Sequence, residues 1–168
     1  LGDGFFHADP HPGNIFVLET GEVGLIDFGQ VKGVSEDSRR TLAKVMVALA
    51  DRQSDQNPED LKRIGDLALE LGVNFKENAQ PEAPAATAMW LFDGSVTSLP
   101  GGYDMGDLSP DSPLKDLKSF PQDLVLVGRN TVLIKGIAAR LGVTWSLAQQ
   151  WAPIARQLLL DGGEGLIV

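Results

Sequence analysis

Phe5-Phe6-His7-Ala8-Asp9-Pro10-His11-Pro12-Gly13-Asn14, followed by Gly24-Leu25-Ile26-Asp27-Phe28-Gly29-Gln30, is the stretch on which the reading of this chain turns. Between its two halves, Ile15-Phe16-Val17-Leu18 and Val23-Gly24-Leu25-Ile26 are short apolar runs separated by Thr20-Gly21-Glu22. Such runs are typical of buried strands, and a tight turn between them predicts a β-hairpin. A hairpin returns the chain to where it started. Asn14 and Asp27 are therefore expected at the same end, with Asp9 close by in the preceding loop.

The spacing H-x-D-x-x-x-x-N, then D-F-G, is the one by which protein kinases place an Asp near the attacking hydroxyl and an Asn and a second Asp on magnesium. The residue types follow from the chemistry. A transferring γ-phosphoryl spreads charge over its oxygens, so the protein mainly positions groups and holds the metal. Magnesium takes oxygen ligands and keeps several waters, so one carboxylate and one amide carbonyl beside the nucleotide phosphates suffice. Asp27 supplies that carboxylate and Asn14 the amide in this reading. Asp9 orients a hydroxyl or water and accepts its proton. His7 joins it in the catalytic loop, more as a brace than as a reacting group. Phe28 and Gly29 complete the cofactor-binding set, Gly29 because glycine tolerates positive φ where the backbone turns sharply after the metal ligand.

The strings from Phe5 to Asn14 and from Gly24 to Gln30 resemble the UbiB family of atypical kinases, also called AarF-domain or ADCK-type proteins. The match covers about residues 3–33. The resemblance implies a protein-kinase-like fold, ATP and magnesium as ligands, and a place in isoprenoid quinone biosynthesis or lipid homeostasis. It implies association with mitochondria, plastids or bacterial membranes, and an activity closer to an ATPase or small-molecule kinase than to a protein kinase. Small-molecule phosphotransferases of the aminoglycoside or choline kinase type share H-x-D-x-H-x-x-N and I-D-F-G-like strings. The Phe-Phe before His7, together with Pro10 and Gln30, favours the UbiB type.

Before the motif, the chain shows no glycine-rich nucleotide-covering loop, strand lysine with its helix-borne glutamate, K-x-G-Q segment or Ala-rich loop. The expectation is a C-terminal lobe of a kinase-like fold, α+β and mostly helical, whose N-terminal lobe is missing. Residues 1–33 would form the catalytic loop and metal-binding hairpin, and residues 34–168 a helical subdomain with an irregular loop over 77–120. Alone, such a lobe should bind ATP weakly. A non-catalytic pseudokinase is the third member of this set of readings.

With 168 residues and 43% hydrophobic content the chain is long and apolar enough for one substantial core. It has no cysteine, which excludes disulfides and thiolate metal sites. No apolar run reaches the length of a membrane span, so membrane association would need missing segments or partner proteins. Of the net charge of −9, residues 121–168 contribute +1, so the first 120 residues carry −10. An acidic surface disfavours nucleic acid and anionic lipid. Only Val31-Lys32-Gly33 separates Gly29-Gln30 from the first helix, and no A-P-E motif follows. That leaves no platform for a peptide substrate and points to a small molecule, a lipid or water as acceptor.

Helical signals then take over. Ser35 is a predicted N-cap before Leu42, Val45, Met46 and Leu49. Asn57-Pro58-Glu59-Asp60 starts a second helix, with Leu61, Ile64, Leu67, Ala68 and Leu71 on one stripe and Gly72 at its end. Five prolines, Gly101-Gly102 and Gly106 predict an irregular excursion over 77–120, with a short helix near 86–92 and Trp90, Leu91, Phe92 and Tyr103 as anchors. Ser119 is the predicted cap of a helix running to about Leu141, and Thr144 that of a last helix, Trp145–Leu160, kinked at Pro153. Asp161 to Gly165 reads as a flexible tail. Two further sites come from these patterns. Residues 137–151 resemble a helix-turn-helix, although an αα-hairpin explains them as well and few cations are available for phosphate contacts. His7, Asp9 and His11 alternate as transition-metal ligands would on a strand, but Pro10 and Pro12 distort a strand and the chain has only two His.

Overall fold

The structure, a computed structural model, describes residues 1–106 and 109–161, so residues 162–165 of the predicted tail lie outside the described residues. The fold is mixed α and β and about half helical. Its strands are β1 (Phe5–His7), β2 (Ile15–Val17), β3 (Val23–Leu25), β4 (Val31–Gly33), β5 (Asn74–Phe75) and β6 (Leu117–Ser119). Its helices are α1 (Glu36–Ala50), α2 (Pro58–Glu70), α3 (Ala83–Phe92), α4 (Gln122–Arg140) and α5 (Leu147–Leu160). The strands pair antiparallel as β1–β4, β2–β3 and β5–β6. In the predicted hairpin, Ile15 faces Leu25 and Val17 faces Val23. β1 and β4 close around it, with His7 opposite Val31.

The hairpin strands are not buried. Val17 is 79% exposed and Val23 64%, and Phe16, Leu18, Leu25 and Ile26 are exposed as well. Their apolar sequence would suit a covered strand, but none of the described elements packs over them. The core lies among the helices instead. Ser35 caps α1 by accepting from the Ser38 amide, and Leu42, Val45, Met46 and Leu49 line its buried face, with α5 as its main packing partner. Asn57 caps α2 through the Glu59 and Asp60 amides, and Gly72 ends the helix at φ +90°, a conformation that favours glycine.

α3 departs most from expectation. It is longer than the short helix predicted near 86–92, and every residue from Ala85 to Phe92 is buried. The segment Ala85-Ala86-Thr87-Ala88-Met89-Trp90-Leu91-Phe92 is nearly apolar all round, and such a helix belongs in the centre of a core. Its C-terminus is held by a buried charge. Asp93, fully buried, lies 2.7 Å from an Arg52 nitrogen, close in distance though not aligned as a hydrogen bond, and accepts from the Ser95 amide and hydroxyl. The excursion behind α3 is closed by the β5–β6 pair. Ser119 therefore does not cap α4: it sits in β6, where its hydroxyl accepts from Asn74 Nδ2 at 3.0 Å, and the helix starts after Pro121 with no side-chain cap. The last helix is capped by Ser146, which accepts from the Gln149 amide, rather than by Thr144. It runs from Leu147 to Leu160 with Pro153 inside it. Leu141, just past the end of α4, is 73% exposed.

Candidate active site

Main-chain hydrogen bonds sew the loop to the hairpin. The Ala8 amide donates to the Gln30 carbonyl at 2.7 Å, and the Ile26 amide to the Asn14 carbonyl at 3.0 Å. Asn14 directly precedes β2 and Asp27 stands two residues beyond β3, so both occupy one end of the hairpin. A 3-10 turn over Pro12–Asn14, on which His11 Nδ1 accepts from the Gly13 amide at 3.1 Å, delivers Asn14 to that end.

His7 links the two motifs. Its Nδ1 accepts from the Asp9 amide at 3.2 Å, and its Nε2 lies 3.0 Å from the Ile26 carbonyl. These partners assign the proton to Nε2. The ring also meets Phe28 edge-on, with centroids 5.3 Å apart. Both nitrogens thus serve the backbone on either side of Asp9 and Asp27, the arrangement of a brace. Asn14 Nδ2 donates to the Asp9 carbonyl at 3.0 Å, which leaves its Oδ1 as an acceptor.

Asp27 has φ +59°, the one non-glycine at positive φ among the described residues. Asp tolerates this region better than most residues, yet such a conformation is uncommon and gathers at functional sites. The positive φ expected of Gly29 therefore belongs to Asp27, two residues earlier. Gly29 is needed for closeness instead: a Cβ there would come within 3.1 Å of Asp27 Oδ1, which accepts from the Gly29 amide at 3.3 Å.

Two residues of α4 complete the site. Arg129 pairs with the Asp9 carboxylate at 2.8 Å and reaches Gln30 Oε1 at 3.4 Å, and Asn130 Nδ2 donates to the His7 carbonyl at 2.7 Å. They lie more than a hundred residues from the motif in an unremarkable helix. Neither is marked by a motif in the sequence around the catalytic loop. Arg129 and Asn130 are adjacent polar residues in an otherwise apolar stretch, and that interruption is the one signal available.

The other two sites fare differently. His7 is committed to backbone partners and Asp9 to Arg129, and no cluster of three or more His, Cys, Asp or Glu capable of holding a metal occurs among the described residues. In the helix-turn-helix segment, α5 packs chiefly on α1, while Gln149 and Gln150 face outward. An αα-hairpin flanking a core accounts for it.

The oxygen-only set at the hairpin mouth suits a hard divalent ion, which needs one or two carboxylates beside substrate phosphates. Asn14 Oδ1 and Asp27 Oδ2 are the atoms left available by the hydrogen bonds above.

Residues 1–60 match the family model described as ABC1 atypical kinase-like domain. The chain is 29% identical over 171 residues to Protein ACTIVITY OF BC1 COMPLEX KINASE 1, chloroplastic, of Arabidopsis thaliana, an alignment covering 97% of this chain and 23% of that protein. An uncharacterized Synechocystis protein is 43% identical over 79 residues, covering 44% of this chain and 18% of its own length. An uncharacterized aarF domain-containing protein kinase, chloroplastic, of Arabidopsis thaliana is 26% identical over 168 residues, covering 97% of this chain and 23% of that protein. The chain spans about a quarter of the length of most of these curated relatives. No solved structure matches it. The loop and the hairpin both fall within residues 1–60, so the part of the chain that carries the candidate site is the part similar to the ABC1 atypical kinase-like domain.

Proposed function

We propose that the chain is the catalytic-loop half of an ATP- and magnesium-dependent phosphoryl-transfer site, corresponding to the C-terminal lobe of a kinase-like fold. The observation that carries this reading is the Ile26–Asn14 main-chain bond, which fixes Asn14 and Asp27 at one hairpin end. Asn14 and Asp27 would hold the magnesium, with Phe28 and Gly29 shaping the segment that presents Asp27. A bound magnesium would neutralise charge on the nucleotide phosphates. Asp9, its main chain fixed by His7 and Asn14, would accept the proton of the acceptor hydroxyl or of water. His7 acts through Asp9 and Asp27 rather than on a substrate.

The acceptor class that fits the short Val31–Gly33 connection is a small molecule, a lipid or water. The Arabidopsis relatives are named as chloroplastic, which supports a plastid-type setting for this chain too; the proposed link to quinone or lipid metabolism rests on the resemblance of the motif alone. None of the described helices is long and apolar enough to cross a membrane. Membrane contact through partner proteins or further segments belongs to the proposal, as does an N-terminal lobe as the partner in catalysis.

The Arg129–Asp9 ion pair favours one second reading, a lobe that binds nucleotide without turning it over, because the carboxylate already has a cationic partner. Calorimetry and ATP hydrolysis, both run on the chain joined to an N-terminal lobe, separate the two. Under the catalytic reading, Asp27→Asn abolishes magnesium-dependent ATP binding, whereas Asp9→Asn keeps binding and loses turnover. Equal MgATP affinity in wild type and Asp27→Asn refutes the metal role. Binding with no turnover in either wild type or Asp9→Asn selects the second reading.

A further inference from the structure

We propose that Arg129 is a catalytic residue as well as the partner of Asp9: its guanidinium receives the negative charge of the phosphoryl group in transfer. The inference rests on the phosphoryl-transfer reading above and adds a group to it. Residues 1–31, which carry the proposed metal ligands and base, contain five carboxylates (Asp3, Asp9, Glu19, Glu22 and Asp27) and no Lys or Arg. A cation comes to them from α4. Arg129 Nη2 donates to Asp9 Oδ1 at 2.8 Å and Nη1 to Gln30 Oε1 at 3.4 Å. The next residue, Asn130, donates from Nδ2 to the His7 carbonyl at 2.7 Å, which fixes the helix against the loop and Arg129 with it. Any cation on an N-terminal lobe would act beside this contact and would not replace it.

Distance and charge balance set the role. A general base must come within about 3 Å of the oxygen whose proton it takes, so the attacking oxygen and the guanidinium have one carboxylate as a common neighbour. In the step, the acceptor oxygen attacks the γ-phosphorus and its O–H proton passes to Asp9. The bond from phosphorus to the bridging oxygen breaks with its electron pair left on ADP. Asp9 becomes neutral as it takes the proton, so Arg129 loses its anionic partner as the phosphoryl oxygens arrive beside it. Arg129 has the means to follow the charge. Two of its N–H groups are engaged, out of the five that a guanidinium carries, and the side chain is 46% exposed. An arginine at the phosphoryl group stabilises the charge that builds on the equatorial oxygens. The ion pair with Asp9 is then the resting position of Arg129.

The test is calorimetry on the chain joined to an N-terminal lobe, with MgADP alone and with MgADP plus aluminium fluoride, a planar anionic mimic of the phosphoryl group in transfer. Wild type should bind MgADP more tightly when aluminium fluoride is present. Arg129→Met should keep its MgADP affinity and lose that tightening by a factor on the order of 10² or more, against the roughly 10³–10⁵ that an arginine at the phosphoryl group adds to kcat. Asp9→Asn separates contact from positioning. A residue that acts only through Asp9 has nothing further to lose in that background, whereas Arg129→Met added to Asp9→Asn should still lose the tightening. Arg129→Lys keeps the charge without the planar fork and should retain an intermediate share; it is the variant to read if Arg129→Met no longer binds MgADP. Tightening preserved in Arg129→Met, or lost there only when Asp9 is intact, overturns the proposal and leaves the phosphoryl-transfer reading standing. So does loss of MgADP binding itself in both substitutions, which makes Arg129 structural. No tightening in wild type overturns the proposal and that reading together.

Discussion

Asp27 combines the strongest local departure from backbone preference with the central place in the proposed site. Only glycine enters positive φ without cost, so a carboxylate held there depends on its surroundings, here the Gly29 amide and the Ile26–Asn14 bond. Asp9 poses the complementary question of what its partner does. Both partners of the Arg129 pair are partly solvent-exposed, and exposed pairs add little to stability. Arg129→Met should accordingly change the unfolding free energy by less than about 1 kcal/mol. If Arg129 orients Asp9, the same change lowers ATP hydrolysis about tenfold or more, within the range a general base contributes. Urea titration of the chain, and a hydrolysis assay on the chain joined to an N-terminal lobe, check the two halves. Tyr103 offers a test away from the site. Burial, followed by its bond to Asp116, raises the phenol well above its ordinary value. A group with a raised folded-state pKa stabilises the fold below its unfolded pKa and loses that contribution as pH climbs beyond it. Wild type should therefore lose stability from about pH 10 upward. Tyr103→Phe should show a shallower decline across pH 9–11.5 in urea midpoints.

Among elements, the contrast between hairpin and helices is sharpest. β2 and β3 are exposed apolar strands, whereas α1 and α3 are buried at nearly every apolar position. Val17→Lys should thus shift the unfolding free energy by no more than about 0.5 kcal/mol, as surface changes do. Met46→Ala, at a fully buried site on α1, should cost about 2–5 kcal/mol. Denaturant midpoints distinguish the two outcomes directly. This contrast also explains what the sequence could disclose. The hairpin was legible because apolar runs and a Gly-containing turn are local signals, and α1 and α2 because Ser35 and Asn57 cap them with local bonds. Burial of a strand depends on what covers it, which lies elsewhere in the chain or beyond it. The failure at Ser119 has the same origin. Its hydroxyl answers to Asn74, forty-five residues away, and so leaves the cap pattern without effect.

For the molecule as a whole, the site divides into a legible half and an illegible one. His7, Asp9, Asn14 and Asp27 sit within one short stretch, and the hairpin alone brings them together. Arg129 and Asn130 arrive from α4 only because the helices pack as they do, and no window of sequence around the motif contains them. What unifies them is a helical core that presents one hairpin end, where Asn14 and Asp27 are the proposed magnesium ligands. Manganese, a paramagnetic stand-in for magnesium, interrogates that arrangement most directly. With MnATP at millimolar concentration, NMR signals of Asn14, Asp27, Phe28 and Gly29 should broaden first, and Asp27→Asn should abolish the effect. Broadening centred on another acidic face, or persisting unchanged in Asp27→Asn, would contradict the account.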